Sequence, residues 1–256
     1  MPDAATSDGV GVLDRMTSIL EAFDQDDGGL GVSELALRAG LPKSTVSRLV
    51  TKLVQQGYLE RDGNRIHLGL RLFELGQLAE QPRELREAAL PVMAVLRTTT
   101  GESVQLAVRD RREMVCIAAL RARSAPPPSV RIGGRLPIHA TALGKALLAH
   151  APLADLEEVV SSGLERWTAE TITDPAALRR QLDDVRRRGL ATDAGEFALG
   201  VSCAAIAVST PSGILVGAVS VSGRTEDVDA ERVAPALRAA ALTLRRRLTP
   251  RRPGVL

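Results

Sequence analysis

The chain has 256 residues, 45% hydrophobic and 25% charged, with a formal net charge of +2. These proportions describe an ordinary globular protein long enough for two domains. No apolar run reaches the length of a membrane span, the first eleven residues are acidic and small, and Cys116 and Cys203 lie too far apart for metal-ligand spacing. A reduced cytoplasmic setting with no membrane, metal or cofactor is expected.

In chain order, Val12 to Phe23 places Leu13, Met16, Ile19, Leu20 and Phe23 at helical spacing. Asp26 to Gly31, rich in Asp and Gly, reads as a turn or loop. Ser33 is positioned to N-cap a short helix over Glu34 to Ala39, which Gly40 ends by taking the left-handed conformation. Pro42 suits the first turn of the next helix, where its missing N–H is not needed. There Val46, Leu49, Val50 and Leu53 fall at i, i+3, i+4 and i+7, one buried stripe, and Gly57 stops the helix. The opposite face carries Lys43, Ser44, Thr45, Ser47, Arg48 and Lys52. Tyr58 to Arg61 and Arg65 to Leu68 read as two strands joined at Asp62-Gly63-Asn64, a hairpin turn sequence.

This is the pattern of a winged helix-turn-helix, and its chemistry suits double-stranded DNA. Lysine and arginine neutralise phosphates, while Ser, Thr and Arg side chains reach base edges in a major groove. Arg61 and Arg65 on the hairpin would grip the adjacent backbone or minor groove. The rival reading is a solvated face of a small structural domain. Charge segregation favours DNA. Residues 1–37 hold eight acids against Arg15, a balance of −7; residues 38–71 hold seven bases against Glu60 and Asp62, a balance of +5. A basic cluster on the proposed reading helix and wing is a nucleic-acid footprint. Arginine clusters at Arg179-Arg180, Arg186 to Arg188 and Arg245 to Arg247 show that arginine is frequent elsewhere too.

Gly69 to Ala79 predicts a further helix with Leu72, Leu75 and Leu78 as its apolar strip, a linker beginning at about residue 70. Gln81-Pro82 interrupts it, which divides the chain into domains 1–80 and 81–256. Glu84 to Arg97 resumes helical spacing with Leu85, Ala88, Ala89, Val92, Val95 and Leu96 on one side, a strip that suits either a partner subunit or the core. Ser103 to Val108 alternates, as does Met114 to Ala118 more weakly, with a turn at Asp110 to Arg112. Pro126-Pro127-Pro128 marks a loop. Ala140 to Ala149 and Leu153 to Val160 are helical. Asp174-Pro175 starts a helix that runs to Arg188 and ends at Gly189. Leu190 to Asp193, Cys203 to Ser209 and Leu215 to Ser222 read as strands, and Ala230 to Leu248 as a closing helix. Mixed strands and helices with antiparallel hairpins predict an α+β or α/β sensory fold.

Two motif sets carry a family resemblance. The first is Leu41-Pro42-Lys43-Ser44-Thr45-Val46-Ser47-Arg48-Leu49 with Gly57-Tyr58-Leu59 and Leu68-Gly69-Leu70-Arg71-Leu72. The second is the run from Gly133 to Ala146, GGRLPIHATALGKA, joined by Thr171-Ile172-Thr173, Gly189, Glu196, Gly200-Val201 and Val219-Ser220-Val221-Ser222-Gly223. On these the chain resembles the IclR family of bacterial transcriptional regulators over nearly its whole length. The resemblance implies an N-terminal winged helix-turn-helix, a linker helix and a C-terminal GAF-like α/β effector domain. It also implies a homodimer or homotetramer that binds an operator under the control of a small-molecule effector, a small organic acid. The implied effector-binding residues are Ala142, Leu143, Asp193, Cys203, Ser220 and Ser222. The physics agrees: amides at a helix start point unpaired N–H groups at an anion, and Ser220 and Ser222 share one face of a strand. The chain departs from many relatives in lacking a proline near Val208 and in carrying Leu143 where a smaller residue is frequent. With 2% aromatic residues an aromatic cage is poorly supplied, which favours a small aliphatic ligand.

Other readings weigh less. His139 before a helix is more often a structural residue than a base, and the phosphate-loop pattern fails around Lys145, with His139 and Ala146 at the required Gly and Ser/Thr positions. Cys203 has no basic neighbour in sequence to activate it. Asp193 and Glu196 could form a carboxylate pair, but nothing completes a hydrolase site; Trp167 reads as packing. An enzyme built on Cys203 or His139, or an interaction module with a degenerate DNA-binding domain, are the alternatives to a regulator, and the chain is not expected to be an enzyme.

Overall fold

The computed structural model describes residues 11–24, 27–123 and 130–248, which fall into two compact units, Met1–Glu80 and Gln81–Leu256. The triple proline at 126–128 and Asp26 lie outside the described residues.

In the first unit, helices α1 (Val12–Glu21), α2 (Val32–Arg38) and α3 (Lys43–Gln55) precede a hairpin of β1 (Leu59–Asp62) and β2 (Arg65–Leu68). The predicted stripe of α3 is buried, and Val46, Leu49, Val50 and Leu53 pack with Ile19, Leu35, Leu59 and Ile66 in one core. Full burial of each such aliphatic side chain is worth about 1.5–3 kcal/mol, enough to fix the outward face of α3. Gly40 has φ +62 and sends the chain from α2 into α3. The predicted Ser33 cap does not form: α2 begins two residues earlier, at Val32, with Gly31 at its N-cap and no side-chain cap. The wing is tied to the helices by reciprocal backbone bonds of 2.9 Å between Leu30 and Ile66. Helix α4 (Leu70–Gln77) follows and buries no residue within the chain.

The second unit starts with α5 (Glu80–Thr100) and builds one antiparallel sheet. Its strands are β3 (Ser103–Asp110), β4 (Glu113–Leu120), β5 (Arg135–Pro137), β6 (Ala191–Ala194), β7 (Val201–Ser209) and β8 (Leu215–Arg224), in the spatial order β5-β4-β3-β8-β7-β6. Helices α6 (Ala142–Leu148), α7 (Leu153–Ser161) and α8 (Pro175–Arg188) lie between β5 and β6 in sequence, and α9 (Ala230–Arg247) closes the chain. The short β5 has no sequence counterpart, because three residues with one inward Leu136 carry no readable period.

Each face of the sheet has its own core. Val104, Leu106, Val219 and Val221 pack with α5 and α9; Ala107, Ala205 and Ala218 pack with α6 and α8. The period of two in β8 therefore sends Val219 and Val221 one way and Ala218, Ser220 and Ser222 the other. On α5, Leu85, Ala89, Val92, Met93 and Leu96 face the core, while Val95, placed on that strip from sequence, is 66% exposed. Helix α8 forms as predicted, with Asp174 accepting from the Ala176 and Ala177 amides and Gly189 ending it.

Candidate functional site

Two sets of residues carry the chemistry, one in each unit. On α3, Lys43, Ser44, Ser47, Arg48 and Lys52 are exposed and Thr45 is half-buried, so the predicted reading face points to solvent. The wing residues Arg61 and Arg65 are exposed as well. Arg65 donates to the Gly29 carbonyl at 2.8 Å and so also anchors the wing. The basic balance of residues 38–71 needs correction. Arg38 pairs with Asp27 at 2.7 Å and Glu34 at 2.8 Å, and the Arg71 guanidinium lies 5.3 Å from the Tyr58 ring centre. Both serve the fold. The exposed cationic face rests on Lys43, Arg48, Lys52 and Arg61, with Arg65 beside them.

In the second unit the sheet face toward α6 gathers the predicted effector residues. Strand register places Asp193 opposite Cys203, Cys203 opposite Ser222, and Ser222 opposite Ser103, one polar row across β6, β7, β8 and β3. Ser220 lies one step along, opposite Gln105 of β3. The Gln105 side chain spans both serines. Its Nε2 donates to Ser222 Oγ at 2.7 Å, and its Oε1 accepts from Ser220 Oγ at 2.9 Å and from Ser222 Oγ at 3.0 Å. Gln105 and Cys203 are half-buried, whereas Asp193, Ser220 and Ser222 are buried.

Above this floor, α6 is buried along its whole length. A Cβ added at Gly144 would stand 2.1 Å from the Ile138 carbonyl oxygen, so only glycine lets α6 approach that strand exit. Thr141 caps the helix by accepting from the Gly144 amide at 3.2 Å. The first intrahelical bond runs from the Lys145 amide to the Thr141 carbonyl, so the Ala142 and Leu143 amides have no intrahelical partner. Their side chains are sunk in the apolar core, and only their backbone can face a ligand.

Lys145, on the same helix, is fully buried, and its Nζ meets Glu196 Oε1 at 2.5 Å. The Glu196 amide in turn donates to Asp193 Oδ1 at 2.7 Å. The loop that follows is clamped: Thr171 Oγ1 donates to the Glu196 carbonyl at 2.6 Å and Thr168 Oγ1 to the Gly195 carbonyl at 2.7 Å. Burial pushes the Asp193 carboxyl up to about 6, with the Glu196 charge adding to it; the Lys145 charge and the Glu196 and Phe197 amides oppose the rise. Burial, with the Asp193 charge beside it, pushes the Cys203 thiol up to about 12. Cys203 is therefore a thiol at neutral pH and serves as a small wall residue. His139 Nε2 lies 2.9 Å from the Glu165 carbonyl, to which it must donate, a structural bond that takes this nitrogen out of base catalysis. Trp167 packs on Phe197 with ring centres 5.2 Å apart.

Gln105 and the structural part of Lys145 were not singled out from sequence. For Lys145 a signal existed. A single lysine inside the otherwise apolar or small ALGKALL helix requires a buried acid partner. Gln105 sits at an inward position of β3 between Ser103 and Ala107, but which strand lies beside it depends on topology.

A cavity of about 690 Å³ lies toward the other end of the same strands. Its walls include Leu85, Val108, Leu147, Ile214 and Leu248 and the ion pair of Arg109 with Asp155. None of the six predicted effector residues lines it.

A winged helix-turn-helix carried on the same chain as an α/β domain of this topology defines a DNA-binding transcriptional regulator. Residues 12–63 match the IclR helix-turn-helix domain, and residues 77–246 match the bacterial transcriptional regulator IclR C-terminal domain. The chain belongs to the IclR family. It is 35% identical to the HTH-type transcriptional repressor AllR of Klebsiella pneumoniae over 84% of this chain and 80% of that one. It is 32% identical to the transcriptional repressor IclR of Escherichia coli K12 over 91% and 88%. Among solved structures it is similar to an IclR homologue of Microbacterium hydrocarbonoxydans complexed with 4-hydroxybenzoate, with a TM-score of 0.85 at 34% identity over 93% of this chain and 98% of that one. The Thermotoga maritima IclR structure gives 0.76 at 28% identity over 91% and 97%. No described helix is long and apolar enough to cross a membrane.

Proposed function

We propose that the chain is a cytoplasmic repressor in which residues 1–80 bind double-stranded operator DNA and residues 81–256 sense a small organic acid. DNA contact is assigned to Lys43, Ser44, Thr45, Ser47, Arg48 and Lys52 on α3 and to Arg61 and Arg65 on the wing. Effector contact is assigned to the Ala142 and Leu143 amides and to Asp193, Cys203, Ser220 and Ser222. The observation that carries the effector assignment is the polar floor itself. In a domain whose two cores are almost wholly apolar, four strands bring their polar residues to one face beneath α6. Polar groups buried at such density cost folding energy unless partnered, and a site that receives a polar ligand is their natural use. The repressing action follows AllR and IclR, and the acid class follows the relative bound to 4-hydroxybenzoate.

The working form is assigned as a homodimer or homotetramer. Helix α4 leaves Leu70, Phe73 and Leu78 exposed at 62%, 63% and 74%, an apolar surface that a single chain does not cover and a second copy would. Effector binding then shifts the balance between subunit arrangements that fit the operator and those that do not.

A gel-shift titration with the DNA upstream of the chain's own gene tests the output. Binding that is lost in Arg48→Ala, with the fold intact by circular dichroism, is the expected result; equal affinity of the two proteins removes α3 from the DNA contact. Addition of the effector releases the DNA from the wild type, and Ser222→Ala keeps DNA binding while losing that release.

A further inference from the structure

Gln105 takes up the hydroxyl protons of Ser220 and Ser222. Each serine hydroxyl has one hydrogen to give. Ser220 gives its hydrogen to Gln105 Oε1 at 2.9 Å. Ser222 stands within 3.0 Å of Oε1 and 2.7 Å of Nε2, a closed ring in which the hydroxyl donates to the carbonyl oxygen and accepts from the amide nitrogen. Both lone pairs of Oε1 are then filled. Ser222 is then left with a lone pair and no hydrogen to offer, and the Asp193 carboxylate, two strands away beyond Cys203, is also an acceptor. Ser222 and Asp193 therefore offer acceptors, with the Cys203 thiol between them only a weak donor, while the opposite side offers the Ala142 and Leu143 amides, which are donors. Gln105 and Cys203 are the half-buried members of the cluster, and Asp193, Ser220 and Ser222 are buried.

We propose that Gln105 sets the specificity of this site, selecting acids that also carry a hydrogen-bond donor, such as hydroxy acids, over acids whose second oxygen can only accept. The proposal rests on the effector assignment above. Gln105 acts through the serines, holding their hydroxyls turned away from the ligand, and is a positioning residue in that sense. A ligand oxygen without a hydrogen would face the Ser222 lone pair and Asp193 with nothing to give, leaving buried acceptors unpaired, which is the arrangement that discriminates most strongly between ligands.

Calorimetric titration of the full-length protein with matched probes tests this. The probes are glycolate and lactate, each with its O-methyl ether, methoxyacetate and 2-methoxypropionate. In the wild type the hydroxy acid is expected to bind at least about ten-fold tighter than its ether, the worth of one hydrogen bond to a buried acceptor. Gln105→Leu frees both serine hydrogens, so the preference collapses toward unity. Gln105→Glu still accepts both serine protons; it keeps the preference while weakening all anions together by repulsion. That retained ratio is a result a merely structural residue would not give. A ratio unchanged in Gln105→Leu overturns the proposal, as does a wild type that binds the ether as tightly as the hydroxy acid or more tightly. Failure of every hydroxy acid and every ether to bind the wild type overturns the small-acid reading itself, and this proposal with it.

Discussion

Replacing Lys145 with methionine isolates the energetics of the ion pair beside the effector floor. The Lys145 side chain is 0% exposed and that of Glu196 is 7% exposed, so the pair is buried on both sides. Glu196 Oε2 has no protein hydrogen-bond partner among the described residues, which leaves the Lys145 ammonium as the main compensation for that carboxylate. Methionine fills similar volume and removes the charge alone. Removing one partner of a buried pair costs about 3–5 kcal/mol, since the other charge stays buried without its counterion. For a domain of this size that is a fall of roughly 10 °C in melting temperature. Replacing both partners, Lys145→Met with Glu196→Leu, is expected to recover most of the loss, because a well-packed apolar pair is about as stable as a buried ion pair. The loss also depends on pH. The Lys145 charge is the largest of the influences opposing the burial-driven rise of the Asp193 carboxyl, so the single variant loses most above pH 7 and less as the pH falls toward 5, where a proton replaces the missing cation. Urea denaturation of wild type, both single variants and the double variant at pH 5 and pH 8 gives the cycle. Equal stability of wild type and Lys145→Met at pH 8, or an identical deficit at both pH values, would refute the reasoning.

Other consequences can be measured alongside. Asp193 has a folded value of about 6 against 3.8 for the unconstrained carboxyl, so the folded state binds more protons between those values and stability declines as pH rises through that window, by about 3 kcal/mol. Asp193→Asn lacks this decline, and the difference between variant and wild type should therefore grow from pH 4 to pH 6 and stay flat above pH 7; a difference that does not change with pH removes Asp193 as its source. Lys52→Ala is expected to reduce the slope of log affinity against log salt by about 1 per subunit, the signature of one phosphate contact, in filter-binding assays with any duplex. Gly144→Ala forces α6 away from the Ile138 carbonyl and is expected to cost about 1–3 kcal/mol and to lower effector affinity while leaving operator binding of the folded protein unchanged. Retained stability with normal effector affinity would show that α6 has room to move.

What the sequence made legible follows the range of the forces involved. The outward face of α3 was legible because helix periodicity is local: once Val46, Leu49, Val50 and Leu53 are buried, the sides on which Arg48 and Lys52 point are determined without reference to anything distant. The same locality makes α8 readable to the residue, since Asp174, Pro175 and Gly189 act on the backbone beside them. The Ser33 cap failed because Ser33 lies inside a helix that packing starts earlier, at Val32. The basic balance of residues 38–71 overstated the DNA footprint because charge counts ignore partners, and Asp27 stands eleven residues before Arg38.

The effector floor obeys a different rule. Ser220 and Gln105 meet across 115 residues of chain, and Lys145 meets Glu196 across 51. Alternation along β8 predicts that Ser220 and Ser222 share a face, yet it cannot say that β3 rather than β7 supplies the side chain that clamps them. That depends on the order β3-β8-β7, which is set by how two apolar cores form on opposite faces of the sheet. The residues assigned to the effector were therefore within reach of motif and resemblance. The partners around them, Gln105 against the serines and the Lys145–Glu196 pair beside Asp193, emerge only when α6 and the strands are packed together. On the proposed role of Gln105, a related chain that keeps all six assigned effector residues changes its ligand preference by altering the position equivalent to Gln105 alone.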